Sequence, residues 1–289
     1  MQKREILRRH LISGAKLSFQ EYPHEYGYTI STKYYGVNYN AVVSTSQKSS
    51  CLIIYIQGHG GDPFNFEYHN EIREKLVNND CDFISLSMLG LGLNKGPAKF
   101  PGIRGDISLT SMGAKNHGNY SFFHDSTRPQ LDPLSLFLFP YISLINHASE
   151  QSDYQKVILM GISGGGWYTT WLSALMPSIN VSISVAGTLP IAYHYEYTPH
   201  GDWEQLYSRL YQSVSYIELY QLMLLDEHGE YNRQAHLVYN SNDPCCFSNP
   251  AASHFAMSAK NIRQLPEVHV TENNYHTIKP SLVYEYIDR

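Results

Sequence analysis

Apolar runs about as long as a β-strand recur along the chain and are separated by helical or loop segments. They cover residues 52–56, 83–88, 157–162, 181–185, 236–239 and 268–270. The run over residues 157–162 shows no polar alternation, which is typical of a strand that is buried on both faces of a parallel sheet. Because these runs alternate with helical segments, the pattern predicts an α/β fold with a mostly parallel central sheet flanked by helices.

Other elements fill the spaces between these runs. Helices are predicted over residues 66–78, 133–148, 165–175 and 280–286. Near the start of the chain, residues 26–30 and 39–43 predict an antiparallel strand pair that turns near Gly36. Residues 92–131 are rich in Gly, Asn and His and show no periodicity, so they predict a long loop, and loops of that length are typically functional or disordered.

Residues 191–235, which we call the insertion, lie between two predicted strands. They contain eight tyrosines and Trp203, with seven acidic and two basic side chains. We interpret the insertion as a helical lid or cap within one α/β domain that spans residues 1–289. The alternative is an additional helical layer in which tyrosines four residues apart, such as Tyr207 and Tyr211, pack against each other.

The composition narrows the possible partners. Of the 289 residues, 43% are hydrophobic and 16% are charged, which suffices for a core without disulfides or metals. The net charge of −5 argues against a nucleic-acid surface. No segment approaches the ~20 consecutive apolar residues of a membrane span. We therefore expect a small-molecule partner, no nucleic acid and no stable membrane insertion, and the oligomeric state stays open.

The N-terminal residues and the cysteines bear on location and metal content. The first 17 residues are basic and lack the apolar run of a secretory signal, so a solvated first helix and a cytoplasmic location are expected. Cys51, Cys81, Cys245 and Cys246 show no metal-ligand spacing, and the adjacent pair is poorly placed to bridge to itself. We therefore expect reduced thiols, no metal and no cofactor.

The stretch 157–177, VILMGISGGGWYTTWLSALMP, carries the strongest chemical signal. A predicted strand runs through Gly-Ile-Ser-Gly-Gly-Gly into a predicted helix that Pro177 ends. Ser163 therefore lies at a strand-to-helix corner in a Gly-x-Ser-x-Gly pattern, which lifts the hydroxyl clear of the sheet on a strained backbone. The alternative interpretation is a flexible turn that happens to contain a serine.

A serine hydroxyl at such a corner needs a base, and the base usually needs an acid that orients it. Asp243 follows the predicted strand over residues 236–239, and His276 follows the next one, over residues 268–270. Because the loops that follow parallel strands emerge at one edge of the sheet, Ser163, Asp243 and His276 are expected to meet there.

Other residues compete for these two positions. His254 lies within a predicted helix, and His269 lies inside a predicted strand, where its side chain would point into packing. Asp226 is the rival acid, but it lies in the insertion, well before the strand. The order Ser163, Asp243, His276 is therefore the preferred assignment.

The loop QGHGGDP, residues 57–63, follows the first apolar run and can aim backbone N–H groups inward. Acyl transfer needs such donors, because negative charge develops on the carbonyl oxygen when the serine attacks. We expect the N–H of Gly164 to be one donor and that of His59 to be the second, with Gly60 as the alternative. As a phosphate-binding loop the stretch would lack the required Lys-Ser/Thr ending.

Together, the Gly-Ile-Ser-Gly-Gly corner and the QGHGGDP, NDP and NYH stretches resemble the α/β-hydrolase superfamily, over roughly residues 41–289. The resemblance implies the α/β-hydrolase fold, with Ser163 as nucleophile, His276 as base and Asp243 as the acid that orients it. The family's usual His-Gly of the oxyanion loop is replaced here by Gln57-Gly58, so the second oxyanion donor stays open.

The superfamily contains esterases, lipases, peptidases, thioesterases and non-enzymes, among which the fold does not choose. The first hypothesis is a metal-independent serine hydrolase that cleaves carboxylic esters through an acyl-serine intermediate. The aromatic and acidic insertion favours short acyl esters, such as acetyl esters of a carbohydrate or small alcohol, with Trp203 and Tyr207 as candidate substrate-binding residues. The alternatives are a peptidase or thioesterase of the same fold, and a binding or scaffold protein with a vestigial triad.

Overall fold

The computed structural model describes residues 2–12, 14–102, 105–109, 132–196 and 202–287. The chain forms two compact units, Gln2–Lys156 and Val157–Arg289. Each unit combines helices with strands, and the predicted α/β class is confirmed. That residues 1–289 act as one domain stays a prediction.

The Gln2–Lys156 unit begins with helix α1 and contains a five-strand segment of sheet in the order β1-β2-β3-β5-β4. Its strands are β1 (Gln20–His24), β2 (Gly27–Tyr34), β3 (Val37–Ser44), β4 (Cys51–Gln57) and β5 (Cys81–Ser87), followed by a separate antiparallel hairpin of β6 (Ala98–Gly102) and β7 (Gly105–Leu109). Its helices are α1 (Gln2–Leu11), α2 (His69–Asn78) and α3 (Pro133–Ser149). The first three pairings are antiparallel, and β4 and β5 run parallel.

Two features of this unit were predicted only in part. The antiparallel pair β2 and β3 turns at Tyr35 and Gly36, as the sequence predicts, and both residues have positive φ, which glycine adopts without strain. The stretch 92–131 contains a short 3₁₀ turn at Gly92–Asn94 and the β6–β7 hairpin, so its first part is not an unstructured loop. Residues 110–131 lie outside the described residues.

The Val157–Arg289 unit contains a four-strand parallel segment of sheet in the order β8-β9-β10-β11. Its strands are β8 (Lys156–Ile162), β9 (Val181–Val185), β10 (Gln234–Asn240) and β11 (Glu267–Thr271). Its helices are α4 (Gly164–Leu175), α5 (Trp203–Leu206), α6 (Ser208–Tyr211), α7 (Tyr216–Leu224), α8 (Ala251–Ala259) and α9 (Pro280–Ile287). All four strands were predicted, and β9 has the predicted bounds.

Helix α4 is the central helix of this unit, and all of its residues are buried. The helix lies very close to the residues after β9. A Cβ on Gly187 would therefore collide with the backbone of Gly166. The third glycine of the Gly-Gly-Gly run therefore permits close packing of the helix on the sheet. This contact fixes the helix whose first residue follows Ser163.

The insertion forms short helices that pack against α4. The hydroxyl of Tyr211 accepts a hydrogen bond from Trp167 Nε1 at 3.0 Å, and Tyr216 donates to the same hydroxyl at 2.7 Å. The Tyr220 hydroxyl donates to Thr188 Oγ1 at 3.0 Å. Tyr211, Tyr216 and Tyr220 are therefore packed as the alternative of an additional helical layer expects, and the rings of Tyr216 and Tyr220 are neighbours. That the insertion acts as a lid or cap stays a prediction.

The cysteines are paired as two disulfides, Cys51–Cys81 and Cys245–Cys246, so the expectation of reduced thiols is wrong for this structure. Cys51 and Cys81 begin the neighbouring parallel strands β4 and β5 and are register partners, with their Cα atoms 4.5 Å apart. Their separation of 30 residues hides this relationship, because strand register cannot be read from spacing.

Candidate active site

Ser163 occupies the corner between β8 and α4. Its backbone has φ 58° and ψ −128°, a conformation that costs a non-glycine residue roughly 1–3 kcal/mol. The surrounding structure holds it there, because its N–H donates to Val185 O at 2.9 Å and its carbonyl accepts from Trp167 N at 3.0 Å. The side chain does not cap its own helix, so the hydroxyl remains available for chemistry.

The glycines of the Gly-x-Ser-x-Gly pattern have a steric role at this corner. A Cβ on Gly161 would collide with the carbonyl oxygen of Gly165, so the backbone on the two sides of the serine can approach only without a side chain. Ser163 itself is 6% exposed. The strained strand-to-helix corner is what the nucleophile interpretation predicts, whereas the low exposure of Ser163 is not, and its role as nucleophile stays a prediction.

Asp243 and His276 are brought together by the loops that follow β10 and β11. His276 Nδ1 lies 2.8 Å from Asp243 Oδ2, and the Asp243 side chain is fully buried. The other carboxylate oxygen accepts the backbone N–H groups of Cys245 at 2.8 Å and Cys246 at 3.0 Å. The turn that contains Asp243 therefore holds its carboxylate in place. The carboxylate in turn holds the Nδ1 edge of the His276 ring.

Asn240, the last residue of β10, holds the loop that carries His276. Its Nδ2 donates to the carbonyls of Tyr275 and Thr277, at 3.1 Å each, which flank the histidine in sequence. Its Oδ1 accepts from Asn273 Nδ2 at 3.2 Å. The sequence analysis did not identify Asn240 as a residue that positions the site. The available signal was its place at the end of a predicted strand, shortly before Asp243.

Cys246 lies close to both Ser163 and His276. Its Sγ is 4.0 Å from Ser163 Oγ. One ring nitrogen of His276 and the sulfurs of Cys245 and Cys246 all lie within 4.8 Å of one another. Within the described residues, the serine hydroxyl thus contacts the cysteine rather than the imidazole. Catalytic hydrogen bonds are often long in ligand-free structures and tighten when substrate binds.

The competing residues lie elsewhere in the same unit. His254 is exposed on α8, and His269 lies in β11 beside His236. Asp226 lies in a turn of the insertion, where backbone hydrogen bonds, chiefly from Glu230, lower the pKa of its carboxyl. These positions agree with the preference for Asp243 and His276.

The predicted oxyanion donors are placed as follows. Gly164 is the first residue of α4, and the first N–H groups of a helix have no partner within the helix. His59 and Gly60 lie in the other unit, in the turn after β4, where the N–H of Gly61 donates to Gly58 O at 3.0 Å. That these amides bind an oxyanion stays a prediction.

Trp203 and Tyr207 pack against each other in the insertion. Their ring centroids are 4.6 Å apart with an interplanar angle of 31°, and both side chains are buried. Much of their aromatic surface is therefore used in internal packing. That they bind substrate stays a prediction.

Beside His276, the possible metal ligands in the described residues are Cys245 and Cys246, which would have to bind as thiolates. A disulfide supplies no thiolate, so the site as it stands offers no such ligand set. No helix in the described part of the chain is long and apolar enough to cross a membrane.

Comparison with known proteins gives likeness in structure but not in sequence. No protein-family model and no curated protein matches the chain. It is similar to acetyl xylan esterase 1 from a Thermoanaerobacterium species, with a TM-score of 0.63 and 13% identity over 99% of this chain and 92% of that one. It is also similar to an acetyl xylan esterase from a Paenibacillus species, with a TM-score of 0.53 and 13% identity over 99% and 91% of the two chains.

A third similar structure is the acylaminoacyl peptidase from Pyrococcus horikoshii, with a TM-score of 0.54 and 13% identity. The match covers 94% of this chain and 39% of the peptidase. All three proteins are α/β-hydrolase superfamily members. The chain therefore has the α/β-hydrolase fold, and the fold predicted from the sequence is confirmed.

Proposed function

We propose that the protein is a serine hydrolase that cleaves carboxylic esters through an acyl-serine intermediate at Ser163. One observation carries the proposal: a buried Asp243 lies 2.8 Å from His276, and Cys246, which neighbours His276, lies 4.0 Å from Ser163 on its strained strand-to-helix corner. The likeness to esterases and a peptidase supports a hydrolase.

The proposed reaction uses His276 first as base and then as acid. The imidazole takes the proton from Ser163 Oγ while this oxygen attacks the ester carbonyl carbon, and Asp243 stabilises the resulting imidazolium. The tetrahedral intermediate collapses when His276 gives the proton to the departing alkoxide. Water then attacks the acyl-serine with His276 as base, which releases the acid and restores the serine.

Backbone amides are proposed to stabilise the oxyanion during both attacks. Gly164 N–H supplies one donor, and His59 N–H supplies the second, with Gly60 as the alternative. The reaction needs no cofactor and no metal, and its partner is a small-molecule ester. We retain the cytoplasm as the expected location.

Short acyl groups are the proposed substrates, such as acetyl esters of a carbohydrate or small alcohol. Ser163 is buried, and the Cys246 sulfur lies 4.0 Å from its hydroxyl, a position in which the sulfur would border the acyl group. The insertion is rich in tyrosine and acidic residues, a composition that suits polyhydroxylated alcohols better than anionic lipids. The likeness to two acetyl xylan esterases supports the same class.

Covalent labelling and a substrate series test this proposal. A fluorophosphonate should label the wild type, and Ser163→Ala should remove the label and lower kcat/KM by at least about 10³-fold, with an unchanged circular dichroism spectrum. Among p-nitrophenyl esters from acetate to palmitate, acetate should be cleaved fastest. Labelling that persists in Ser163→Ala would refute the nucleophile, and rates that rise with chain length would refute the acyl preference.

The two alternative functions are decided by the same experiment. A peptidase or thioesterase, which the likeness to an acylaminoacyl peptidase supports, would be labelled but would prefer acyl-peptide or thioester substrates over esters. A scaffold with a vestigial triad would not react with the fluorophosphonate at all.

A further inference from the structure

A cluster of two histidines and a glutamate lies on one face of the β10–β11 pair. His236 and Glu267 are register partners on these parallel strands, and His269 follows Glu267 by two residues. Side chains two residues apart on a strand point to the same face. The three side chains therefore converge near the amino ends of the two strands, whereas Asp243 and His276 follow their carboxyl ends.

The distances within the cluster are those of a tetrahedral coordination site. His236 Nδ1 is 3.3 Å from His269 Nε2 and 3.5 Å from Glu267 Oε2. The distance between His269 Nε2 and Glu267 Oε2 is 3.4 Å. A tetrahedral Zn²⁺ with bonds of about 2.0–2.1 Å to nitrogen and oxygen needs ligand atoms about 3.4 Å apart. An octahedral Mg²⁺ with bonds of about 2.1 Å would need neighbouring ligands about 3.0 Å apart.

The ligand types and their burial point to the same kind of ion. Two imidazole nitrogens and one carboxylate oxygen suit Zn²⁺ and related transition metals better than Mg²⁺ or Ca²⁺, which prefer oxygen ligands. The His236 side chain is 4% exposed, that of His269 is 27% exposed and that of Glu267 is 60% exposed. His236 is therefore the buried ligand, and Glu267 lies on the exposed side, from which an ion can enter.

We propose that His236, Glu267 and His269 bind a Zn²⁺ ion with tetrahedral geometry, and that the ion fastens strand β11 to β10. Strand β11 is the last strand of its sheet, and every one of its residues is exposed or half-buried. It leads into the loop that carries His276, so an ion here would stabilise the strand without taking part in ester cleavage. The fourth coordination position is left for a water molecule.

The sequence analysis predicted no metal site because it considered only the spacing of the cysteines. The ligands here lie on two strands that the sequence separates by a helix, and only their register brings them together. Without an ion, the same three side chains can hydrogen-bond to one another at these distances. The experiment must therefore separate metal binding from hydrogen bonding alone.

Zinc binding by the non-reduced protein tests the proposal. After dialysis against a chelator, the wild type should bind one equivalent of added ZnCl₂ in isothermal titration calorimetry at pH 7.5, and its unfolding temperature should rise. Loss of supporting contacts to a metal ligand costs about 10–100-fold in affinity, so loss of a ligand in His269→Ala should cost at least about 100-fold. Glu267→Gln should also weaken binding. His236→Ala is avoided because the residue is buried.

Two controls make the outcome decisive. His254→Ala removes an exposed histidine from the same unit and should bind Zn²⁺ as the wild type does. His276→Ala should also retain binding, which separates this cluster from the active site. Absence of binding by the wild type, or equal binding by His269→Ala, would overturn the proposal. In that case the three side chains only hydrogen-bond to one another.

Discussion

The Sγ atom of Cys246 lies 4.0 Å from the Oγ atom of Ser163, and a ring nitrogen of His276 lies within 4.8 Å of the same sulfur. The Cys246 backbone N–H also donates to Asp243 at 3.0 Å. One residue thus touches Asp243 through its amide and stands beside Ser163 with its side chain. If Ser163 is the nucleophile that we propose, a group added to this sulfur would occupy space that the acyl group of a substrate needs.

Alkylation of Cys246 should therefore inactivate the protein once the Cys245–Cys246 disulfide is reduced. After treatment with dithiothreitol, iodoacetamide should attach a carboxamidomethyl group to Cys246 and lower the esterase rate by at least about 100-fold, because the added group blocks access to Ser163. The residual rate is measured with p-nitrophenyl acetate.

Cys246→Ala provides the critical comparison for this prediction, because iodoacetamide can then modify only the other cysteines, including Cys245, and most of the activity should remain. Cys51→Ala, which breaks the other disulfide, should remain sensitive. If Cys246→Ala is inactivated as fast as the wild type, the sulfur does not border the acyl position.

Asp243→Asn should lower kcat by up to about 10⁴-fold with little change in folding, because the amide can stabilise the wrong imidazole tautomer. The matched control is Asp226→Asn, in the turn of the insertion, which should stay within a few-fold of the wild-type rate. Steady-state kinetics of both variants checks the prediction, and similar losses in the two would leave the acid unassigned.

His276→Ala should lower kcat/KM by at least about 10³-fold, since His276 is the imidazole that Asp243 holds among the residues that the structure describes. His254→Ala, a change on the exposed side of α8, should leave the rate near that of the wild type. The two variants are compared in the same p-nitrophenyl acetate assay. An inactive His254→Ala with an active His276→Ala would reverse the assignment.

His69 should make the stability of the protein fall in mild acid. Burial is the main cause that lowers the pKa of this imidazole from its ordinary value of about 6.5 to about 4, and Arg73 lowers it further, while a hydrogen bond with Asn70 raises it. Its Nε2 also lies 2.9 Å from Ser85 Oγ. Because the folded state disfavours the charged form, the stabilisation is complete above about pH 6.5 and is lost as the pH falls towards 4.

The expected loss is up to about 3 kcal/mol in the free energy of unfolding, as each pKa unit corresponds to about 1.4 kcal/mol. Urea unfolding at pH 7 and pH 4.5, followed by far-ultraviolet circular dichroism, measures it. His69→Gln removes this titration and should show a smaller difference between the two pH values. An equal difference in the variant would assign the acid sensitivity to other groups.

The strands that were predicted best are those whose residues are buried on both faces. Strand β9 has its predicted bounds because Val181–Val185 is buried throughout and flanked by polar or loop residues. Strand β1 was missed because most of Gln20–His24 is exposed, and an exposed edge strand has no apolar pattern to detect. A buried strand has an apolar pattern that the sequence shows. A strand that is held mainly by backbone hydrogen bonds has no such pattern.

The same distinction applies to the candidate site. The positions of Asp243 and His276 follow from strand order, since both come directly after a parallel strand, and their contact was predictable on that basis. The contacts of Cys246 and Asn240 depend on how each loop turns, which a single sequence does not specify. The His236, Glu267 and His269 cluster depends on strand register and was equally hidden.

All three tryptophans of the chain, Trp167, Trp171 and Trp203, belong to the Val157–Arg289 unit, and all are buried. Two of them donate from their indole nitrogens to the Tyr211 hydroxyl, at 3.0 and 3.4 Å. Intrinsic fluorescence excited at the red edge of the indole band will therefore monitor this unit alone. A urea titration that combines this emission with circular dichroism will reveal whether the unit holding His69 unfolds in the same step.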